Sequence, residues 1–168
     1  MNNNKVVIGI TGVKTAGKNT VCDMFKKYIP NVEEVALAKK LKDVCAEVFD
    51  KPRDSFDCQV LKEKNFDSPI TLNERHISEI LVKFGHNTTI SKTKEDFKEI
   101  LSMELDSPRR IAQIVGTEIL RSLGNPDIHC EKMEMSDKGV SIITDIRFEN
   151  EFEFFSKRYL NFIPIYVQ

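Results

Sequence analysis

Gly12, Gly17 and Lys18 are the residues whose types and spacing most directly suggest chemistry. They lie in Ile8-Gly-Ile-Thr-Gly-Val-Lys-Thr-Ala-Gly-Lys-Asn-Thr-Val21, where a β-branched run turns through two glycines into an amphipathic segment. Glycines at these places let the backbone wrap an anion with its N–H groups, and a lysine directly after the second can reach the outer phosphates. One position departs from the usual pattern. The hydroxyl expected after the lysine, where it would touch Mg²⁺, is replaced by Asn19, and a threonine follows one place later as Thr20. The plainer alternative is a glycine-containing strand-to-helix turn with a surface lysine.

Asp145 closes an apolar run, where a nucleotide-using enzyme of this type keeps the carboxylate that holds Mg²⁺ or its water shell. Its structural alternative is a cap on the following helix. Arg147 is near enough to meet a phosphate with a planar fork of donors, or to pair with Glu149 or Glu151. Ser107-Pro-Arg-Arg110 puts Arg109 and Arg110 in the first turn of a helix, where the macrodipole disfavours cations unless an anion is close. Arg121, eleven residues beyond Arg110, would project from a similar face of that helix. Gly116 between them weakens the helix and suits close approach of a ligand or another backbone.

A phosphate acceptor removes the need for a general base, because a monophosphate whose second pKa is about 6 is already anionic at pH 7. Positioning and charge neutralisation then suffice. No Ser-His-Asp or Cys-His arrangement is visible, and His76, His86 and His129 read as surface or packing residues.

The elements that must position these groups follow from periodicity. Strands are expected at Lys5 to Thr11, Val32 to Leu37, Gly139 to Asp145 and Asn161 to Val167. Helices are expected at Gly17 to Tyr28, Ala38 to Phe49, Asn73 to Phe84, Lys94 to Met103, Pro108 to Leu123 and Phe148 to Tyr159. Asn73, and Asp106 or Ser107, stand where helix caps belong, with Pro108 near the first helical position. The polar stretch from Asp50 to Asn73 reads as an excursion from the sheet. Alternating strands and helices make the class α/β with a mostly parallel sheet, whose ligand should lie beyond the carboxyl ends of the strands. Pro164 in the last strand is best tolerated on a sheet edge.

Bulk properties narrow the partners. The 168 residues are 40% hydrophobic with a formal net charge of −1, enough for one core and too balanced for a global attraction to nucleic acid or membrane. Four scattered cysteines without a CxxC pair suit reduced thiols and no zinc site, and the polar N-terminus does not resemble a signal peptide. A single domain in the cytoplasm is the expectation.

Several segments in order resemble the bacteriophage-type deoxynucleoside monophosphate kinases: GVKTAGKNT, ALAKKLKDVCAEVF at 36–49, SPRRIAQIVGTEILR at 107–121, NPDIH at 125–129 and ITDIRFENEFE at 143–153. The resemblance implies a three-layer P-loop kinase fold of about four strands here, with a helical monophosphate-binding insertion at about 50–106. It implies ATP and Mg²⁺ as cofactors and phosphoryl transfer to a deoxynucleoside monophosphate. Lys18, Asp145 and Arg147 would be catalytic; Gly12, Lys14, Ala16, Gly17, Lys18, Asn19 and Thr20 would bind ATP phosphates; Thr20 and Asp145 would serve the metal, directly or through water. Lys42, Arg109, Arg110, Gly116, Thr117, Arg121 and His129 would lie on the acceptor side. His129 stands where relatives often carry tryptophan, so the wall against the base would be smaller.

Relatives continue past the last strand into an arginine-bearing lid, a further strand and a closing helix, and an arginine in that role is worth about 10³ to 10⁵ in rate. This chain reaches Gln168 first, so turnover is expected to be impaired, and a fragment or split gene product would explain the length equally well. The resemblance places the protein in a host cytoplasm if viral, with small-molecule nucleotides as partners, no nucleic acid, no membrane, and a homodimer left open. Two alternatives stand beside it: a non-catalytic nucleotide-binding or assembly module, and a small-molecule kinase similar to dephospho-coenzyme A kinase.

Overall fold

The computed structural model describes residues 5–13, 16–85, 97–122, 125–137 and 139–168. The chain divides into two compact units, residues 1–39 with 129–168 and residues 40–128. Among the described residues no helix is long and apolar enough to cross a membrane.

The first unit is a four-stranded parallel sheet. Strand β1 (Val6–Gly12) lies between β5 (Val140–Ile143) and β6 (Asn161–Val167), and β2 (Val32–Val35) pairs on the outside of β5. Alternation along the strands sends side chains to two opposite faces. Ile8, Ile10 and Ile142 bury with Cys22 of helix α1 (Lys18–Tyr28) on one face. Val7 and Ile143 bury with Phe155 of helix α7 (Glu149–Arg158) on the other. A sheet with helices on both faces is the α/β architecture expected from the alternating sequence.

Gly9 is required by packing rather than by a turn: a Cβ there would meet Ile146 Cδ1 at 2.6 Å and the Phe162 ring at 2.8 Å. Among the described residues strand β6 is an edge bonded to β1, where Pro164 is tolerated. At the amino edge of the sheet the buried Lys5 donates to the Ser136 carbonyl. Glu33 there accepts from Ser136 N and Oγ, both at 2.9 Å, and from Ser141 Oγ at 3.0 Å.

The second unit is mostly helical. Helix α2 (Ala38–Val48) enters it and is followed by a 3-10 turn (Arg53–Phe56), α3 (Gln59–Glu63) and α4 (Glu74–Lys83). A two-residue antiparallel pair, β3 (Ile70–Thr71) with β4 (Glu104–Leu105), then leads into α5 (Pro108–Gln113). Its core gathers Phe49, Phe56, Leu72, Ile80, Phe84, Leu105, Ile111, Ile119 and Leu120. The expected helical insertion at about 50–106 falls inside this unit.

Both expected caps are present. Asn73 Oδ1 accepts from His76 N at 3.1 Å and Ser107 Oγ from Arg110 N at 3.3 Å, with Pro108 at the first helical position. Asp106 instead accepts from the Ser107 hydroxyl.

Two helix expectations need correction. The described part of Lys94 to Met103 is a series of turns, because Ser102 takes φ 76° and directs the chain into β4, its N–H bonding Leu72 O at 3.0 Å. Phe97 and Ile100 are buried one turn apart, which accounts for the helical spacing without a helix. Residues 94–96 lie outside the described residues. The helix expected from Pro108 to Leu123 is α-helical only to Gln113, and Ile114–Arg121 is a π-helix. Bonds such as Ser122 N to Thr117 O, 3.0 Å, span five residues and widen the turns, so eleven residues no longer make three turns and the common face expected for Arg110 and Arg121 is lost. Gly116, with its low helix propensity, lies in this stretch.

Candidate functional site

The first candidate is the turn from β1 into α1. Gly17 is the N-cap of α1 in the left-handed conformation, φ 87° and ψ 22°, which favours glycine. It supplies no side-chain cap, and the first turn of α1 holds no acidic residue. Neither the N-cap nor an acidic side chain of that turn therefore compensates the positive end of its N–H groups. Lys18, the next residue, folds back so that Nζ donates to Gly12 O and to Val13 O, both at 2.8 Å. Two of its three donors are used on neutral acceptors, so the ammonium is aimed without losing its charge. Gly12 itself has φ 151°, and a Cβ there would lie 2.3 Å from Val167 O.

Ala16 and Gly17 are half-buried, and Asn19 and Thr20 are exposed in the first turn of α1. Lys14 lies outside the described residues.

Asp145 and Arg147 follow β5, the strand paired with β1, so both are at the same carboxyl edge as the glycine turn. The connections leaving β1 and β5 run in opposite directions across the sheet, one to β2 and the other to β6. Open α/β sheets hold their ligands at such a place. Asp145 is also structural, in a way the sequence did not suggest. Its Oδ1 accepts from Leu37 N at 2.8 Å and its Oδ2 from Ala38 N at 3.0 Å, so it caps α2 rather than the helix that follows it. Burial pushes its carboxyl above the ordinary value, against the opposing pull of the two backbone N–H groups and of Arg147.

The cap of α7 belongs to Glu151, whose Oε2 accepts from Arg147 N at 2.7 Å and Phe148 N at 3.1 Å. A glutamate three residues into a helix was a legible signal for this. Arg147 is exposed.

The acceptor-side candidates of the second unit divide by partner. Lys42 Nζ pairs with Asp57 Oδ1 at 2.8 Å, and Arg53 joins the same aspartate to Asp43. Arg109 pairs with Glu63. Arg121 Nη1 donates to Pro126 O at 3.1 Å. Arg110 differs: it is exposed, and its guanidinium has no hydrogen bond or ion pair among the described residues. Gly116 is buried and Thr117 exposed within the π-helix. His129, in the first unit on α6 (Ile128–Glu131), is buried. His76 packs against the Phe49 ring at 4.9 Å, in keeping with a packing role.

Asp57 and Glu63 were missed from sequence, since no local pattern ties them to Lys42 and Arg109. The chain matches no known family model, and no curated protein is significantly similar to it.

Proposed function

We propose that the protein is a deoxynucleoside monophosphate kinase that uses Mg-ATP to produce the diphosphate. The observation that carries this reading is Lys18 held by the Gly12 and Val13 carbonyls at the uncapped N-terminus of α1. A fixed ammonium and unneutralised backbone N–H groups suit the phosphates of a nucleoside triphosphate. Asp145 retains a further lone pair on each oxygen, and Thr20 offers a hydroxyl in the first turn of α1. Among the described residues no three His, Cys, Asp or Glu side chains form a metal cage. Mg²⁺ in phosphoryl transfer asks for only one or two protein ligands besides phosphate oxygens and water, so these residues fit it. Arg110, uncompensated in the first turn of α5, supports recognition of an acceptor phosphate.

The test is a coupled assay against the four deoxynucleoside monophosphates and dephospho-coenzyme A. Turnover of a deoxynucleoside monophosphate is expected, with Lys18→Ala lowering it by about 10²-fold or more. Turnover of dephospho-coenzyme A alone would shift the reading to that class of kinase.

A second reading, a nucleotide-binding module without catalysis, is favoured by one observation: both oxygens of Asp145 already hold the backbone of α2. ATP binding with no turnover of any acceptor would select it.

A further inference from the structure

Residues 57–65 form a surface strap in the second unit. Phe56 before it is 3% exposed, and Phe66 after it is half-buried, with its N–H on Asp106 O at 2.7 Å and its ring 4.7 Å from Lys51 Nζ. Between these anchors nothing is buried: α3 contributes no buried residue, and Val60 and Leu61 are 76% and 42% exposed. An element without an apolar face in the core is held by whatever else it touches. Here, besides the Asp57 and Cys58 N–H groups on Asp54 O at 3.1 and 3.0 Å, that includes charge. Asp57 at one end takes Lys42 and Arg53, and Glu63 at the other takes Arg109.

We infer that this strap is an internal competitor for the acceptor's phosphate: Asp57 and Glu63 occupy Lys42 and Arg109 until an anionic substrate displaces them and frees residues 57–65. The inference rests on the proposed kinase reading, which assigns both cations to the acceptor. Two features make the exchange feasible. The pairs are partly exposed, with Glu63 at 43% and Asp57 at 54% side-chain accessibility, so each contributes little and releases readily. A phosphate dianion with three acceptor oxygens offers these cations more than one carboxylate does. Arg110, in the same turn as Arg109 but without a carboxylate partner among the described residues, would meet the phosphate first.

The experiment measures affinity for each deoxynucleoside monophosphate by calorimetry in the wild type, Glu63→Gln and Asp57→Asn, and tryptic cleavage after Lys62 and Lys64 with and without nucleotide. Glu63→Gln is expected to bind the preferred monophosphate about two- to fivefold more tightly, the range of one exposed ion pair, with ATP affinity unchanged. Strap cleavage should be faster in both variants, and faster in the wild type once the monophosphate is added. Affinity that is unchanged or weaker in both variants, or cleavage indifferent to nucleotide, would overturn the strap while leaving the kinase reading standing. No monophosphate binding by the wild type would overturn both.

Discussion

The two units hold their candidate cations by different means. In the first, Lys18 is fixed by neutral carbonyls of its own turn, which orient the ammonium and leave its charge in place. In the second, Lys42 and Arg109 are fixed by carboxylates, which orient them and cancel that charge. A backbone-held cation is ready for an anion as it stands, whereas a carboxylate-held cation must exchange partners. The first arrangement depends on the fold of the sheet, and the second on side chains from a surface segment.

The comparison can be broken most severely at the two cores. Phe155 and Phe84 are both fully buried, one behind the sheet that carries the Lys18 turn and one in the helical unit. Truncating either to alanine removes a large side chain that neighbours cannot replace, at a cost of about 3–5 kcal/mol. Urea unfolding followed by far-UV circular dichroism should show comparable losses. A loss below about 1 kcal/mol at either site would mean that unit is not built around the ring.

A smaller effect is expected within the glycine turn, and it separates steric from conformational demands. At Gly12 an alanine meets both, since its Cβ would sit 2.3 Å from Val167 O at φ 151°. The carbonyl belongs to the β6 backbone and cannot swing aside, so Gly12→Ala should cost about 2–3 kcal/mol. At Gly17 the added Cβ finds, among the described residues, only Thr20 Oγ1, at 3.9 Å, so the expected penalty is that of the left-handed conformation, about 1–2 kcal/mol. Thermal melts of the two variants should fall in that order. The reverse order would show that β6 does not constrain the turn.

The same contrast explains what could be read in advance. Strands β1, β5 and β6 and helices α1, α4 and α7 were legible because short-range periodicity and caps such as Asn73 and Ser107 specify them locally. The glycine turn was legible for the same reason, being one continuous segment. Long-range pairings were not. Nothing near Asp145 says that it will cap a helix beginning more than a hundred residues earlier, and nothing near Glu63 points to Arg109. The β3 with β4 pair was missed because two-residue strands carry no alternation. The described part of the helix expected at Lys94 to Met103 is a series of turns, and the burial of Phe97 and Ile100 three residues apart needs no more than a turn. The π-helix at Ile114–Arg121 was read as α-helical because its apolar spacing satisfies either geometry over two turns.

The smallest effect concerns pH, where one aspartate from each unit should act with opposite sign. Burial raises the carboxyl of Asp145, so the folded chain holds that proton to higher pH than the unfolded chain does. Its contribution is fully present below the unfolded value and is lost as pH rises towards the folded one. At Asp57 burial opposes ionisation, but Lys42 and Arg53 outweigh it and hold the carboxyl below its ordinary value. That contribution is present above the unfolded value and is lost as pH falls through the folded one. Stability measured by urea titration between pH 3 and about 7 should therefore respond in two directions. Asp145→Asn should reduce the decline of stability with rising pH just above the ordinary carboxylate range, even though the amide restores only one of the two acceptors for Leu37 and Ala38. Asp57→Asn should reduce the loss on acidification, by a modest amount because the pair is partly exposed. Identical pH profiles for the two variants would remove the distinction between a carboxylate held by backbone inside the first unit and one held by cations on the second.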